Sequence, residues 1–154
     1  VVRLRPFGPH GIPCRRDWLK LSRFFRDRHG HRRSVVPGLI RVLAQVQRHF
    51  GRRQLHVMSG YRSPNDPQAM SSYHQVGHAA DIWIDDIKNR ALFEYSRGLQ
   101  RAGERLGCGL YPRGHHVHVD VRSRATVWVD LSGYGDGAVY VSDPEVWLEA
   151  HPAR

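Results

Sequence analysis

The chain has 154 residues, 24 Lys and Arg against 14 Asp and Glu, and a formal net charge of +10. At that length a single domain is expected, one that buries roughly 70% of the surface its unfolded chain exposes. With 40% hydrophobic and 25% charged residues, and no apolar run near the roughly 18 residues of a membrane span, disorder, a disulfide scaffold and a membrane-spanning protein are excluded. The chain opens on Val1-Val2-Arg3 without a leader-like segment, so the expectation is that any targeting sequence was removed or never existed.

The charge is unevenly placed. Residues 1–53 hold 14 Lys and Arg against Asp17 and Asp27, a net of +12; residues 54–154 hold 10 against 12 acids, a net of −2. A basic segment favours anionic partners, whether nucleic acid, acidic polymer or lipid headgroup. Arg23, Arg26, Arg41 and Arg48 fit the solvated faces of helices instead. No nucleic-acid-binding signature accompanies them, so nucleic acid is not the expected partner. Cys14 and Cys108 stand far apart and outside any CxxC pair; a disulfide and two buried thiols both remain open.

In chain order, residues 1–15 carry three prolines and two glycines and read as an irregular lead-in. Trp18, Leu21 and Phe25 recur at helical spacing and predict a helix from Asp17 to about Arg28. Pro37 suits a first helical position, and Leu39, Leu43, Val46 and Phe50 form the stripe of a second helix. Gln54–Ser59 alternates as a half-buried strand does. Residues 60–77 form a long Gly-, Ser- and Pro-rich loop of the kind that is more often functional than idle. His78–Ile84 reads as a strand. Asp85 or Asp86 is then placed to cap a helix with the stripe Ala91, Leu92, Tyr95, Leu99 and Ala102. Strands follow at Cys108–Tyr111, His115–Val121 and Thr126–Asp130, with a turn at Pro112–Gly114. Asp143-Pro144-Glu145 has the form of a helix start. The fold class is α+β, with helices first and most strands late.

Two histidine clusters carry the chemistry. On a strand, His116, His118 and Asp120 point to one side and Val117, Val119 and Val121 to the other. A solvent-facing strand with incidental histidines explains that segment alone equally well. The second cluster shifts the balance. Asp81 is a carboxylate on a mainly apolar strand, where it needs a cation, a hydrogen-bond partner or solvent. His74 lies at the end of a loop that Gly77 can turn back, and Ala79 leaves space. His74, Asp81 and His118 make a three-ligand zinc set with the fourth position left for water, the catalytic pattern.

Ser72, His74, Gly77, Ala79 and Asp81 form Ser-x-His-x-x-Gly-x-Ala-x-Asp, followed by a His-x-His-Val-Asp strand and preceded by Ser59-Gly60-Tyr61-Arg62-Ser63-Pro64. Over roughly residues 15–130 the chain resembles zinc peptidases of the Hedgehog/D-Ala-D-Ala-peptidase fold, M15-type, nearest to a bacterial murein-endopeptidase branch once filed as a domain of unknown function. The resemblance implies N-terminal helices packed on a small, mainly antiparallel sheet, and one Zn2+ on His74, Asp81 and His118. Residues 131–154 match no motif and read as an extension of the same single domain. The resemblance also implies a substrate-binding arginine at Arg62, where a fixed guanidinium could hold an oxyanion, and a catalytic role for His116 as base or transition-state stabiliser. Some relatives carry a Glu where His115 stands here, and no carboxylate replaces it. Between His115 and His116 the base stays open, with His116 favoured by strand alternation. Asp120 either orients a metal-bound imidazole or is an ordinary carboxylate, and Ser72 either supports the metal ligands in the same way or only shapes the loop. His56 and His78 have no expected part in the chemistry. Tyr61, Tyr73, Trp83 and Tyr111 are candidates for the substrate groove.

The implied activity is hydrolysis of peptidoglycan stem peptides or cross-links in the bacterial cell envelope, endopeptidase rather than terminal trimming. The alternative is a non-catalytic module on the same fold that binds cell wall or a protein. The basic residues 1–53 are expected to add weak binding to anionic cell-wall polymer.

Overall fold

The computed structural model describes residues 15–64, 72–133 and 135–152. Its elements run α1 (Arg15–Phe24), α2 (Pro37–His49), β1 (Leu55–Ser59), a short 3-10 helix (Tyr73–Val76), β2 (Ala79–Ile84), α3 (Asn89–Arg101), β3 (Leu106–Leu110), β4 (Val117–Val121), β5 (Thr126–Val129) and α4 (Pro144–Ala150). The strands form one sheet in the order β1-β2-β4-β3-β5, in which only the β3–β5 pair is parallel. This is the expected α+β class. Among the described residues no helix is long and apolar enough to cross a membrane.

Strand alternation divides the sheet into two faces. Ala80, Ile82 and Ile84 of β2, Leu106, Cys108 and Leu110 of β3, Val117 and Val119 of β4 and Val129 of β5 are all buried in one core. Leu39, Ile40, Val42, Leu43 and Val46 of α2 and Leu92 and Phe93 of α3 complete it. Burying a side chain of this size contributes about 1.5–3 kcal/mol. The core is therefore what holds the polar face of the sheet in register. Cys108 is a free, fully buried thiol, and burial pushes its pKa up to about 12, so it packs as a small apolar group. Cys14 lies outside the described residues.

Several element boundaries differ from the sequence expectation. The first helix ends at Phe24, not near Arg28, because the buried Asp27 carboxylate accepts from the His29 and His31 amides (2.9 and 2.8 Å) and draws the chain into a loop. Neither Asp85 nor Asp86 caps α3. Asp86 takes a left-handed φ of 59° in the turn after β2, and the helix starts behind Lys88, which makes no side-chain cap. The buried stripe of α3 is Leu92, Phe93, Ser96 and Arg97. Ala91 and Ala102 are exposed instead, because Arg97 faces α4 and pairs with Glu145 (2.5 and 2.7 Å). β4 begins at Val117, leaving His115 and His116 in the turn before it, and β3 covers 106–110. Asp143 does cap α4, accepting from the Glu145 and Val146 amides.

The other face of the sheet is built around absent side chains. Gly107 pairs with Asp120, and Gly109 with His118 on one side and Trp128 on the other. A Cβ at Gly109 would lie 2.4 Å from the Trp128 ring, and one at Gly107 would strike the Asp120 carboxylate and the Arg122 guanidinium. Gly109→Ala should therefore displace Trp128 and lower stability by about 1–3 kcal/mol. The shift of the chemical-denaturation midpoint measures it, and an unchanged midpoint would mean that the ring is not fixed over β3.

Candidate metal centre

His74, Asp81 and His118 reach one point from three separate elements. The 3-10 helix carries His74. Ser72 caps it by accepting from the His74 amide (3.3 Å), and Gly77 closes it at φ 72°, where a Cβ would collide with the Ser34 carbonyl. Asp81 and His118 face each other across the β2–β4 pair. All three side chains are buried.

Hydrogen bonding settles which atoms face inward. His74 Nδ1 lies 2.5 Å from the Gly60 carbonyl, which can only accept, so that nitrogen carries the proton. His118 Nε2 lies 2.9 Å from Asp120 Oδ2 and donates to it. The neutral imidazoles thus present His74 Nε2 and His118 Nδ1 as lone pairs, 3.2 Å apart. Asp81 Oδ1 lies 2.9 Å from the second and 3.4 Å from the first. Three acceptors gathered in a buried site repel one another unless a cation sits among them. Bonds of about 2.0–2.1 Å to a tetrahedral zinc place adjacent ligand atoms roughly 3.3 Å apart. The three separations bracket that value, so the residues fit a divalent metal ion.

The titration behaviour has the same cause. Burial works to raise the Asp81 carboxyl, but the His74 and His118 imidazoles hold it well below the usual carboxylate range. Burial works to lower His118, but the negative charges of the Asp120 and Asp81 carboxylates beside it raise it. The Asp81 direction keeps its carboxylate ionised, and the His118 direction describes a pocket that favours positive charge.

Further groups hold the ligands. Arg62 donates from Nη2 to Asp81 Oδ2 (2.5 Å) and from Nε to Ser59 Oγ (2.8 Å), which leaves Oδ1 aimed at the histidines. Asp120 is fully buried; it accepts from Arg122 Nε (2.6 Å) and is also bonded by Arg122 Nη2. The Arg122 guanidinium lies over the Tyr73 ring (4.5 Å) and the Trp128 ring (5.4 Å). Arg122 and the two glycines of β3 were not singled out by sequence reasoning. A signal was available, since residues 118, 120 and 122 share one strand parity and Gly-x-Gly repeats the same alternation opposite them.

The remaining candidates separate. His116 is half-buried, stacks on Tyr111 (4.5 Å between centroids), and has a buried Nδ1 without a hydrogen-bond partner. Burial lowers its pKa, and the charges of Asp81, His118, Arg62 and His74 all act on its ring. His115 is exposed and lines a separate cavity together with Trp83. That cavity, of about 800 Å³, is lined by none of the three candidate ligands; the metal centre is defined by converging donors, not by concavity. Tyr73 packs beneath Arg122. Tyr61 is half-buried, its amide bonded to the Phe25 carbonyl. Tyr111 accepts from Trp128 Nε1 (3.2 Å). His56 stacks on Trp83, and His78 reaches the Val121 carbonyl.

A family model described as peptidoglycan L,D-endopeptidase MepK, of the M15 peptidases, matches residues 14–127. Peptidoglycan L,D-endopeptidase MepK of Escherichia coli K12 is 37% identical over 112 residues, covering 66% of this chain and 59% of that protein. The proteins of the same name from Escherichia coli O157:H7 and Shigella flexneri match to the same extent. The chain thus spans 59% of the length of the curated relatives it matches. No solved structure matches it. The chain belongs to this family of M15-type peptidases.

Removing the cation behind Asp120 tests how the ligands are held. Arg122→Leu should weaken divalent-metal affinity about 10- to 100-fold, with Arg122→Lys recovering part of it. Competition with a chromophoric chelator gives the affinity, and wild-type affinity in Arg122→Leu would remove Arg122 from the support of the site.

Proposed function

We propose that the protein is a zinc-dependent peptidoglycan endopeptidase, cleaving stem-peptide or cross-link bonds of murein in the bacterial cell envelope, with the L,D specificity that its relatives' names carry. The observation that carries this reading is the convergence of His74 Nε2, Asp81 Oδ1 and His118 Nδ1 as mutually unshielded acceptors. Zinc, when held there, supplies Lewis acidity toward a peptide carbonyl and makes water acidic enough to attack near neutral pH.

The chain's own residues do the rest. Asp120 fixes the His118 tautomer and, with Arg122 behind it, stays ionised. Arg62 orients the Asp81 carboxylate and holds a substrate carbonyl or carboxylate oxygen beside it. His116 takes the proton from the attacking water and returns it to the leaving amine; its unpartnered Nδ1 supports that role. His115, turned to a separate cavity, does not serve as base. Tyr61, Tyr73 and Trp83 contribute to the groove. The catalytic unit is a single domain over residues 15–130, extended by residues 131–154. Exposed arginines of residues 1–53 retain the enzyme on anionic cell-wall polymer.

His74→Ala and Asp81→Ala should each lose both stoichiometric zinc and release of soluble muropeptides from sacculi. His116→Ala should keep the zinc and lose about 10²–10⁴ in turnover. Full hydrolysis by Asp81→Ala would sink the metal assignment, and sacculus binding without products by the wild type would favour a binding module.

A further inference from the structure

Asp27 is buried in the loop after α1, far in sequence from all three candidate ligands. Its Oδ1 accepts from the His29 and His31 amides (2.9 and 2.8 Å), and its Oδ2 lies 2.9 Å from His31 Nδ1. Those three bonds stay within its own loop. A fourth comes from outside it: the Ser63 hydroxyl, on a residue that is itself buried, donates to the same carboxylate. Burial works to raise the Asp27 carboxyl, but the bonds from His31, His29 and Ser63 bring it down to about 2. The acceptor is therefore ionised at neutral pH, and a hydrogen bond to an ionised acceptor is roughly twice as strong as one between neutral groups.

The same short loop meets residues 60–63 at two further points. The Phe25 carbonyl accepts from the Tyr61 amide (2.8 Å), and the Phe25 ring fills the space beside Gly60, where a Cβ would lie 2.6 Å from it. Residues 25–27 thus hold the segment at Gly60, Tyr61 and Ser63. Its other polar groups serve the metal centre. The Gly60 carbonyl meets His74 Nδ1, and Arg62 donates to Asp81 Oδ2 and Ser59 Oγ. Arg62 stands between the two anchored residues, Tyr61 and Ser63. An arginine has many rotamers to lose on ordering, and a backbone fixed on both sides leaves fewer of them in play.

We propose that Asp27 is a positioning residue for the metal centre: by holding Ser63 it fixes the backbone of Arg62, keeps the guanidinium on Asp81 Oδ2 and so leaves Oδ1 to the cation. The effect on the cation rests on the metal-centre reading; the hold on Arg62 does not.

Ser63→Ala cuts the link while leaving Asp27 its three loop bonds. Exchange of the Arg62 Nε proton, followed in 15N-arginine spectra of the protein as purified, should be about tenfold faster in Ser63→Ala. Zinc affinity, measured by chelator competition, should fall about tenfold. In an Arg62→Ala background, Ser63→Ala should leave the affinity unchanged, because the hold acts through Arg62. A purely structural weakening would lower it equally in both backgrounds. Asp27→Ala should match Ser63→Ala, and the Ser63 variant decides the matter if Asp27→Ala fails to fold. Wild-type exchange of the Arg62 proton in Ser63→Ala, or equal losses of zinc affinity with and without Arg62, overturns the proposal. A wild-type protein that binds no zinc, with Arg62 exchange still faster in Ser63→Ala, sinks the metal-centre reading alone.

Discussion

Three lone pairs held within 3.4 Å of one another, with no proton donor between the neutral groups, are the constraint around which the rest of the site is arranged. An uncompensated buried charge is worth several kcal/mol against folding. The polar face of the sheet is organised to hold the acceptors together despite that. The Gly60 carbonyl fixes one imidazole, the Asp120 carboxylate fixes the other in the opposite tautomer, and Arg62 takes the outer oxygen of Asp81. Each fixture removes one way the ligands could turn aside.

The fixtures in turn need room, and glycine supplies it. Gly107 admits Asp120 with Arg122, Gly109 admits Trp128, and Gly77 turns the chain so that His74 can face the strand. The opposite face of the same strands is an apolar core at almost every position. Fold and chemistry are thus written in alternate residues of the same segments. A register slip of one residue would bury the acids in the core and expose the valines.

That alternation is why so much of the site was legible in the sequence. Asp81 among Ala80, Ile82 and Ile84 stands out by parity, and His118 among three valines gains its weight only beside His74 and Asp81. The His-Asp-His donor set follows from that alternation together with the loop before it, whereas the family motifs are carried by resemblance. What was not legible depended on three-dimensional neighbours. Asp85 and Asp86 look like helix caps in one dimension, but the turn after β2 uses them first. The buried stripe of α3 turns toward Arg97 because Glu145, 48 residues away, pairs with it. Arg122 is one more arginine in an arginine-rich sequence, and only its pairing with the fully buried Asp120 sets it apart. The net charge of +10 proved least informative about chemistry. The two arginines that matter to the centre, Arg62 and Arg122, lie outside the basic first third and act on individual carboxylates.

The donor geometry turns the two imidazoles toward one cation through different nitrogens, Nε2 of His74 and Nδ1 of His118. Long-range proton–nitrogen correlation spectra of the zinc-loaded protein, labelled with 15N-histidine, test it directly. The expected result is a proton on Nδ1 of His74 and on Nε2 of His118, with the two remaining nitrogens shifted by metal coordination. A proton found on Nδ1 of His118, or histidine spectra unchanged between zinc-loaded and chelator-treated protein, would contradict it.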